Sequence, residues 1–545
     1  CADGNGDGPG DRAGVRQRLG YLRDLGVDAI WFTPWYVSPL ADGGYDVADY
    51  RAIDPQFGTL AEAEQLIAEA RALGIRTIVD VVPNHVSSEH EWFRAALAAG
   101  PGSPERERFW FHPGRGEDGS QVPTHWVSEF QGGTWTRTTN PDGTPGEWYL
   151  HVFAPEQPDL NWDHPDVRRE HEDILRFWFD RGAAGIRIDS AAQLVKDPAL
   201  PEVPDHPGPG EHPHVDRDEL HDIYRGWRAV ADAYDEPRVL VGEVWLADRE
   251  RFARYLRPDE MHTAFNFDFM ARPWDAKALR ESVQTTLDAH APVAAPATWV
   301  LSNHDVTRPV TRYGREDSSF AFATKRFGTP TDLATGRRRA RAAALLSAAL
   351  PGSLYLYQGD ELGLPEVEDL PPDAIQDPMH ARSGGVDPGR DGCRVPLPWT
   401  RGGTSHGFGP DGGAQPWLPQ PHGWGELSVE AQTGDETSVL TLYRRVLATR
   451  RAEPALRAGG FRWLDSLGGV VLGDDVLAFA REAPGDGDGD GRAVACVVNL
   501  GPDDVPLPAA AEVLLRSDAP GRAPRARAAP GAARLPTDTA VWLRA

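Results

Sequence analysis

The chain has 545 residues, of which 40% are apolar and 25% charged; at roughly 100 to 200 residues per domain this argues for about three domains and excludes a peptide or a single small module. No uninterrupted apolar run approaches the roughly 18 residues of a membrane span, so a water-soluble protein with no membrane partner is expected. The 56 basic against 82 acidic side chains give a formal charge of −26, which repels nucleic-acid phosphates and anionic lipid and leaves a neutral or cationic partner.

The chain opens on DGNGDGPGD, which places oxygen donors at Asp3, Asn5, Asp7 and Asp11. That is the style of a calcium loop, although the twelfth position is Gly14 rather than a bidentate Glu, and a bare Asx-Gly turn is the competing reading. A helix is predicted over Val15 to Leu25, and strand-like apolar runs then recur at Val27 to Pro34, Ile75 to Asn84, Gly182 to Asp189, Arg238 to Trp245, Thr263 to Phe269, Thr298 to Asp305 and Ser353 to Gly359. Helical spacing over Leu60 to Leu73, Val167 to Phe179 and Arg339 to Leu350 makes the pattern a repeated β then α, hence parallel strands. Either a doubly wound sheet or an eight-stranded (β/α) barrel fits; the barrel needs an eighth strand, expected upstream of Cys1.

The segment from Val86 to about His164, rich in Trp, Pro, Gly and His, is too long for an ordinary βα connection and predicts an inserted domain. After about Arg451, alternating runs at Phe461 to Leu464, Val476 to Ala480 and Ala493 to Leu500, with a flexible turn at Gly485 to Gly491, predict an antiparallel β domain. The expected domains are thus 1–85, the first part of the barrel; 86–164, the insert; 165–450, the rest of the barrel; and 451–545, the β domain. Only Cys1, Cys393 and Cys496 are present, too few for a disulfide framework or a Cys zinc site, and a reducing cytoplasm is the expected location.

Several strands end in ionisable residues: Asp80 with Asn84 and His85, Arg187 with Asp189, Glu243, and His304 with Asp305. In a barrel these ends form one rim, so residues far apart in sequence converge. A single Asp after a strand is more often a helix cap, but acids at three strand ends call for chemistry, and paired carboxyls suit cleavage of a glycosidic bond. No GxxxxGK[ST], HExxH, GxSxG or strand-borne GxGxxG accompanies them.

The motifs DVVPNH at Asp80 to His85, QPDLN at Gln157 to Asn161, GIRIDS at Gly185 to Ser190, GEVW at Gly242 to Trp245, SNHD at Ser302 to Asp305 and YQGDELG at Tyr357 to Gly363 resemble glycoside hydrolase family 13, the α-amylase family, in its oligo-1,6-glucosidase and α-glucosidase group. The resemblance implies a (β/α)8 barrel with a B domain inserted after strand 3 and a C-terminal antiparallel β-sandwich. It makes Asp189 the nucleophile of a retaining mechanism, Glu243 the general acid/base and Asp305 the stabiliser of the oxocarbenium-like sugar. Arg187 is expected to favour ionised Asp189, and Asp305 to raise Glu243.

The resemblance also implies that His85 and His304 hydrogen-bond the bound glucose, and that Asp42 and Tyr45 of DGGY grip and stack on it. Arg394, or less favoured Arg390, is expected to pair with Asp42 and close the pocket, which means exo cleavage of a small oligosaccharide. The opening loop corresponds to a structural Ca2+ or Mg2+ site, with no organic cofactor. Ser190 follows the nucleophile, where the group associates Val with α-1,6 and smaller or polar residues with α-1,4 activity, so maltose and short malto-oligosaccharides are favoured and isomaltose stays second. A glucosyl transferase or isomerase of the same family acting on sucrose, trehalose or maltose, and a non-catalytic interaction protein, are the alternatives. The pattern leaves monomer and homodimer open.

Overall fold

The structure, a computed structural model, describes residues 2–140, 142–322, 324–483, 493–508, 511–518 and 534–544. The turn expected over Gly485 to Gly491 lies outside them. Among the described residues seven short parallel strands form the centre: β1 (Ala29–Phe32), β2 (Arg76–Val81), β3 (Gly185–Ile188), β4 (Val239–Gly242), β5 (Thr263–Ala264), β6 (Thr298–Val300) and β7 (Ser353–Tyr355). The first five pair in chain order, a parallel bridge from Phe265 to Thr298 joins β5 to β6, and β6 pairs with β7.

Helices follow the strands on the outside: α2 (Leu60–Ala72) after β1, α3 (Pro165–Asp180) after β2, α4 (Leu220–Asp232) after β3, α5 (Ala276–His290) after β5, α6 (Leu333–Ala349) after β6 and α7 (Val439–Ala452) after β7, with α1 (Arg12–Leu25) preceding β1. Their starts follow from local chemistry. Asp11 caps α1 by accepting from Gly14 N–H, Thr59 and Glu62 form a reciprocal capping box on α2, and Pro165 opens α3 where no donor is needed. One strand is shorter than expected: over Thr263 to Phe269 pairing ends at Phe265, because Asn266 accepts from Phe269 N–H and starts a helical turn over Phe267–Ala271.

Strands β3 and β4 are almost wholly buried, whereas every residue of β1 and β7 keeps some exposure. Among the described residues β7 and β1 share no ladder. A cavity of about 800 Å3 lies between them, lined by Ile30, Phe32, Leu354 and Leu356 and reaching Trp31 and His304 below the site. This is where an eight-stranded barrel would place its remaining strand.

The segment between β2 and α3 carries a helix (Glu91–Ala99) and a three-stranded antiparallel sheet, Phe111–His112, Pro145–Leu150 and Trp135–Thr139. The C-terminal part is a five-stranded sheet in the order Gly460–Trp463, Val476–Glu482, Ala493–Asn499, Thr539–Arg544, Glu512–Arg516. One face packs on α6, where Trp542 Nε1 donates to Leu345 O at 3.1 Å, and the other covers a second apolar layer with Leu507 and Leu535. No described helix is long and apolar enough to cross a membrane.

Candidate active site

The rim formed by the C-terminal ends of β2, β3, β4 and β6 gathers the strand-end residues. Arg187, on β3 and 1% exposed, is the hub: Nη1 donates to Asp189 Oδ1 at 2.6 Å and to both Asp80 oxygens at 3.1 Å, and Nη2 lies 2.7 Å from Glu243 Oε2. One planar guanidinium thus orients three carboxyl groups, as its fixed fork allows. Ser190 is the second link, donating through Oγ to Asp189 Oδ2 at 2.9 Å and through N–H to Glu243 Oε2 at 3.0 Å. Its φ of 45° is costly for a residue with a Cβ, and both contacts depend on that turn of the backbone.

Burial divides the carboxyls. It pushes Glu243 up to about 7, opposed by Arg187 and assisted by Asp189 and Asp305. Burial rather than the expected Asp305 repulsion is therefore the chief cause. Asp189 is also pushed up, to about 6, because burial outweighs the pull of Arg187 that the sequence suggested would dominate. Asp305 goes the other way: burial raises it, but His304, Arg390 and Arg394 hold it below the usual carboxylate range. Burial lowers His85 and His304 to about 3, so both are neutral imidazoles near pH 7.

The floor is built by loops. In DGGY, Gly44 has φ 104° and a Cβ there would meet Pro34 O at 3.0 Å, so glycine is needed to turn Tyr45 inward. Tyr45 OH donates to Asp80 Oδ2 at 3.2 Å, and its ring lies parallel to His304 at 5.3 Å. His85 Nδ1 takes a hydrogen bond from Asn84 Nδ2 at 3.1 Å, which leaves Nε2 to donate to Tyr45 O at 3.1 Å. Gln157, from the inserted segment, donates to Asp42 Oδ2 at 3.2 Å.

Arg390, not Arg394, pairs with Asp42: its Nη2 donates to Oδ1 at 2.7 Å, and its Nη1 reaches Asp305 Oδ1 at 3.1 Å. The reason is Asp377, which accepts from both the backbone N–H and Nε of Arg390 at 2.6 Å and aims the guanidinium. Arg394 instead donates Nε to His304 O at 2.8 Å and Nη2 to Asp305 Oδ1 at 3.1 Å. Asp377, held low by Arg390 and Arg394 against its burial, caps a short helix at Pro378–Arg382, and that local role in the sequence gives no sign of its reach to Arg390. Asp80 is buried and pushed up to about 7, with Trp31 Nε1 donating to it at 3.1 Å.

The opening loop lies apart from this rim. Asp3 accepts from Gly6 N–H at 2.6 Å and Gly8 N–H at 2.9 Å, Asp11 from Gly4, Asn5 and Gly14, and Asn5 Oδ1 from Asp7 N–H at 3.0 Å. These oxygen donors have the chemistry of a calcium site. In this structure the Asp3 and Asp11 carboxylates are turned onto the loop's own amide N–H groups.

Residues 1–459 match the α-amylase catalytic domain, and residues 465–542 match a domain of unknown function termed DUF3459. The chain is 35% identical over 497 residues to a trehalose-6-phosphate hydrolase of Escherichia coli K12, covering 84% of this chain and 83% of that one. It is 34% identical over 497 residues to a probable α-glucosidase of Rhizobium meliloti strain 1021, covering 86% and 83%. The solved trehalulose synthase of Pseudomonas mesoacidophila MX-45 superposes with a TM-score of 0.81 at 30% identity, covering 100% of this chain and 96% of the other.

Proposed function

This chain belongs to the α-amylase family of glycoside hydrolases, and from that premise we propose that it is a retaining, exo-acting α-glucosidase that releases glucose from the non-reducing end of maltose and short α-glucosides. Linkages of the α-1,4 type are favoured over α-1,6. The observation that carries the reading is the Arg390 bridge, which joins Asp42 to Asp305 beside the buried Asp189 and Glu243; in this reading it closes the pocket beyond one terminal sugar.

In this reading ionised Asp189 attacks the anomeric carbon while protonated Glu243 gives its proton to the departing glycosidic oxygen. Asp189 is then bonded to glucose. Glu243, now a carboxylate, takes a proton from water, which displaces Asp189 and restores the α configuration. Asp305, kept ionised by Arg390 and Arg394, faces the positive charge that develops on the sugar ring. Neutral His304 supplies a hydrogen bond without adding charge, while neutral His85, its ring nitrogens held by Asn84 and Tyr45 O, supports the Tyr45 loop.

A second reading has support in the likeness to a trehalulose synthase: the same covalent glucosyl group passed to a sugar hydroxyl instead of water. Product analysis separates the two. Incubation with maltose, isomaltose, sucrose, trehalose and trehalose 6-phosphate, with Asp189→Asn as the blank, gives free glucose from maltose for the glucosidase and a new disaccharide for the transferase. Turnover that persists in Asp189→Asn overturns both.

A further inference from the structure

The two oxygens of Glu243 are not equivalent. Oε2 receives Ser190 N–H at 3.0 Å and faces Arg187 Nη2 at 2.7 Å. An oxygen held by a backbone donor and a guanidinium is the poorer place for an acidic proton. The proton that a general acid must carry therefore belongs on Oε1, and the donor to Oε1 among the described residues is Trp245 Nε1, at 3.1 Å.

Trp245 is fixed for this contact. Its ring stacks face to face on Phe267, with centroids 3.7 Å apart and planes 1° apart, and Phe322 packs edge-on at 5.0 Å. Phe267 is 5% exposed and belongs to the turn that interrupts the expected strand, so the clamp is part of the core. Trp245 itself is 37% exposed beside a carboxyl residue that is only 8% exposed.

We infer that Trp245 is a positioning residue for the acid/base: its clamped indole N–H holds the Glu243 carboxyl so that Oε1 is presented to the leaving-group oxygen. The inference rests on the α-glucosidase reading and deepens it. The ionisable groups facing Glu243 are Arg187, Asp189, Asp305, Asp80 and Glu129 of the inserted segment, while Arg249, Asp268 and His290 line the small cavity behind Trp245. Among the described residues the contacts of Arg187 and Ser190 N–H fall on Oε2, so removal of the indole N–H alters Oε1 first.

The test compares two donors that differ in their need for acid. From maltose the departing group is the O4 of glucose, a poor leaving group that requires a proton, whereas from α-glucosyl fluoride it is fluoride ion, which departs with little help. Trp245→Phe keeps a ring to stack on Phe267 and deletes the N–H together with the second ring of the indole. Its kcat/KM on maltose should fall about tenfold while that on the fluoride stays within about twofold. Losing a donor to the carboxylate disfavours its ionised form, so the basic limb of the maltose pH profile should move upward. Phe267→Leu, which retains the N–H but loosens the clamp, should give the same selective loss to a smaller degree. The ratio of the two kcat/KM values is independent of the folded fraction of enzyme. Equal losses on both donors, or none, would overturn the inference alone; wild-type protein inert toward both would overturn it together with the glucosidase reading.

Discussion

Arg390 and Asp42, 348 residues apart in the chain, meet at 2.7 Å and close the bottom of the site. The same guanidinium binds Asp305 and Asp377, so its removal takes a cation from three largely buried carboxylates at once. Arg390→Ala should cost about 3 to 5 kcal/mol of stability by the usual effect of breaking a buried pair. Activity on maltose should fall at least about 100-fold in kcat/KM, read by glucose release. Arg390→Lys cannot restore it, because one ammonium cannot span three acceptors. Wild-type kinetics in either variant would refute the sealing role.

The pH profile follows from the two buried carboxyls. Turnover needs Asp189 ionised and Glu243 protonated, and burial places these near about 6 and about 7. kcat/KM should decline as pH drops through the first value, because Asp189 takes a proton, and as pH rises through the second, because Glu243 loses one. The two limbs belong to the interacting pair. Activity still rising above pH 8 would contradict these assignments.

Ser190 is predicted to matter for rate as well as linkage. Its hydroxyl donates to the nucleophile at 2.9 Å and its φ is 45°, a conformation that a β-branched residue strongly resists. Ser190→Val should reduce kcat/KM on maltose about tenfold and raise the acidic limb of the profile, since ionised Asp189 loses a donor. The isomaltose to maltose ratio should rise. A ratio that is unchanged would separate this position from linkage choice.

For the opening loop, the calcium proposal from Asp3, Asn5, Asp7 and Asp11 predicts that EDTA lowers the melting temperature and added calcium restores it. The carboxylate-to-amide bonds predict that the loop keeps its shape by itself. A melting temperature indifferent to EDTA would remove the metal and leave a self-capped turn into α1.

The site's chemistry was legible in the sequence where it depends on strand ends. Asp80, Asp189, Glu243 and Asp305 follow short apolar runs, and a parallel barrel brings such positions together whatever their spacing. Loop geometry was not legible. Arg390 and Arg394 are four residues apart, and only Asp377, fixing Arg390 through its backbone as well as its side chain, decides which one reaches Asp42. The net direction at Asp189 was hidden too, because Arg187 is visible in GIRIDS but the depth of burial is not. Likewise Thr263 to Phe269 reads as a strand by apolar content, and the Asn266 cap that turns it into a helix acts through one side chain.

The most direct test of the central claim is the anomer of glucose first released from maltose, followed by proton NMR from the moment of mixing. Double displacement through Asp189 predicts that α-glucose appears first and mutarotates afterwards, with no glucose from Asp189→Asn. β-Glucose as the first product, or release undiminished in Asp189→Asn, would contradict the account.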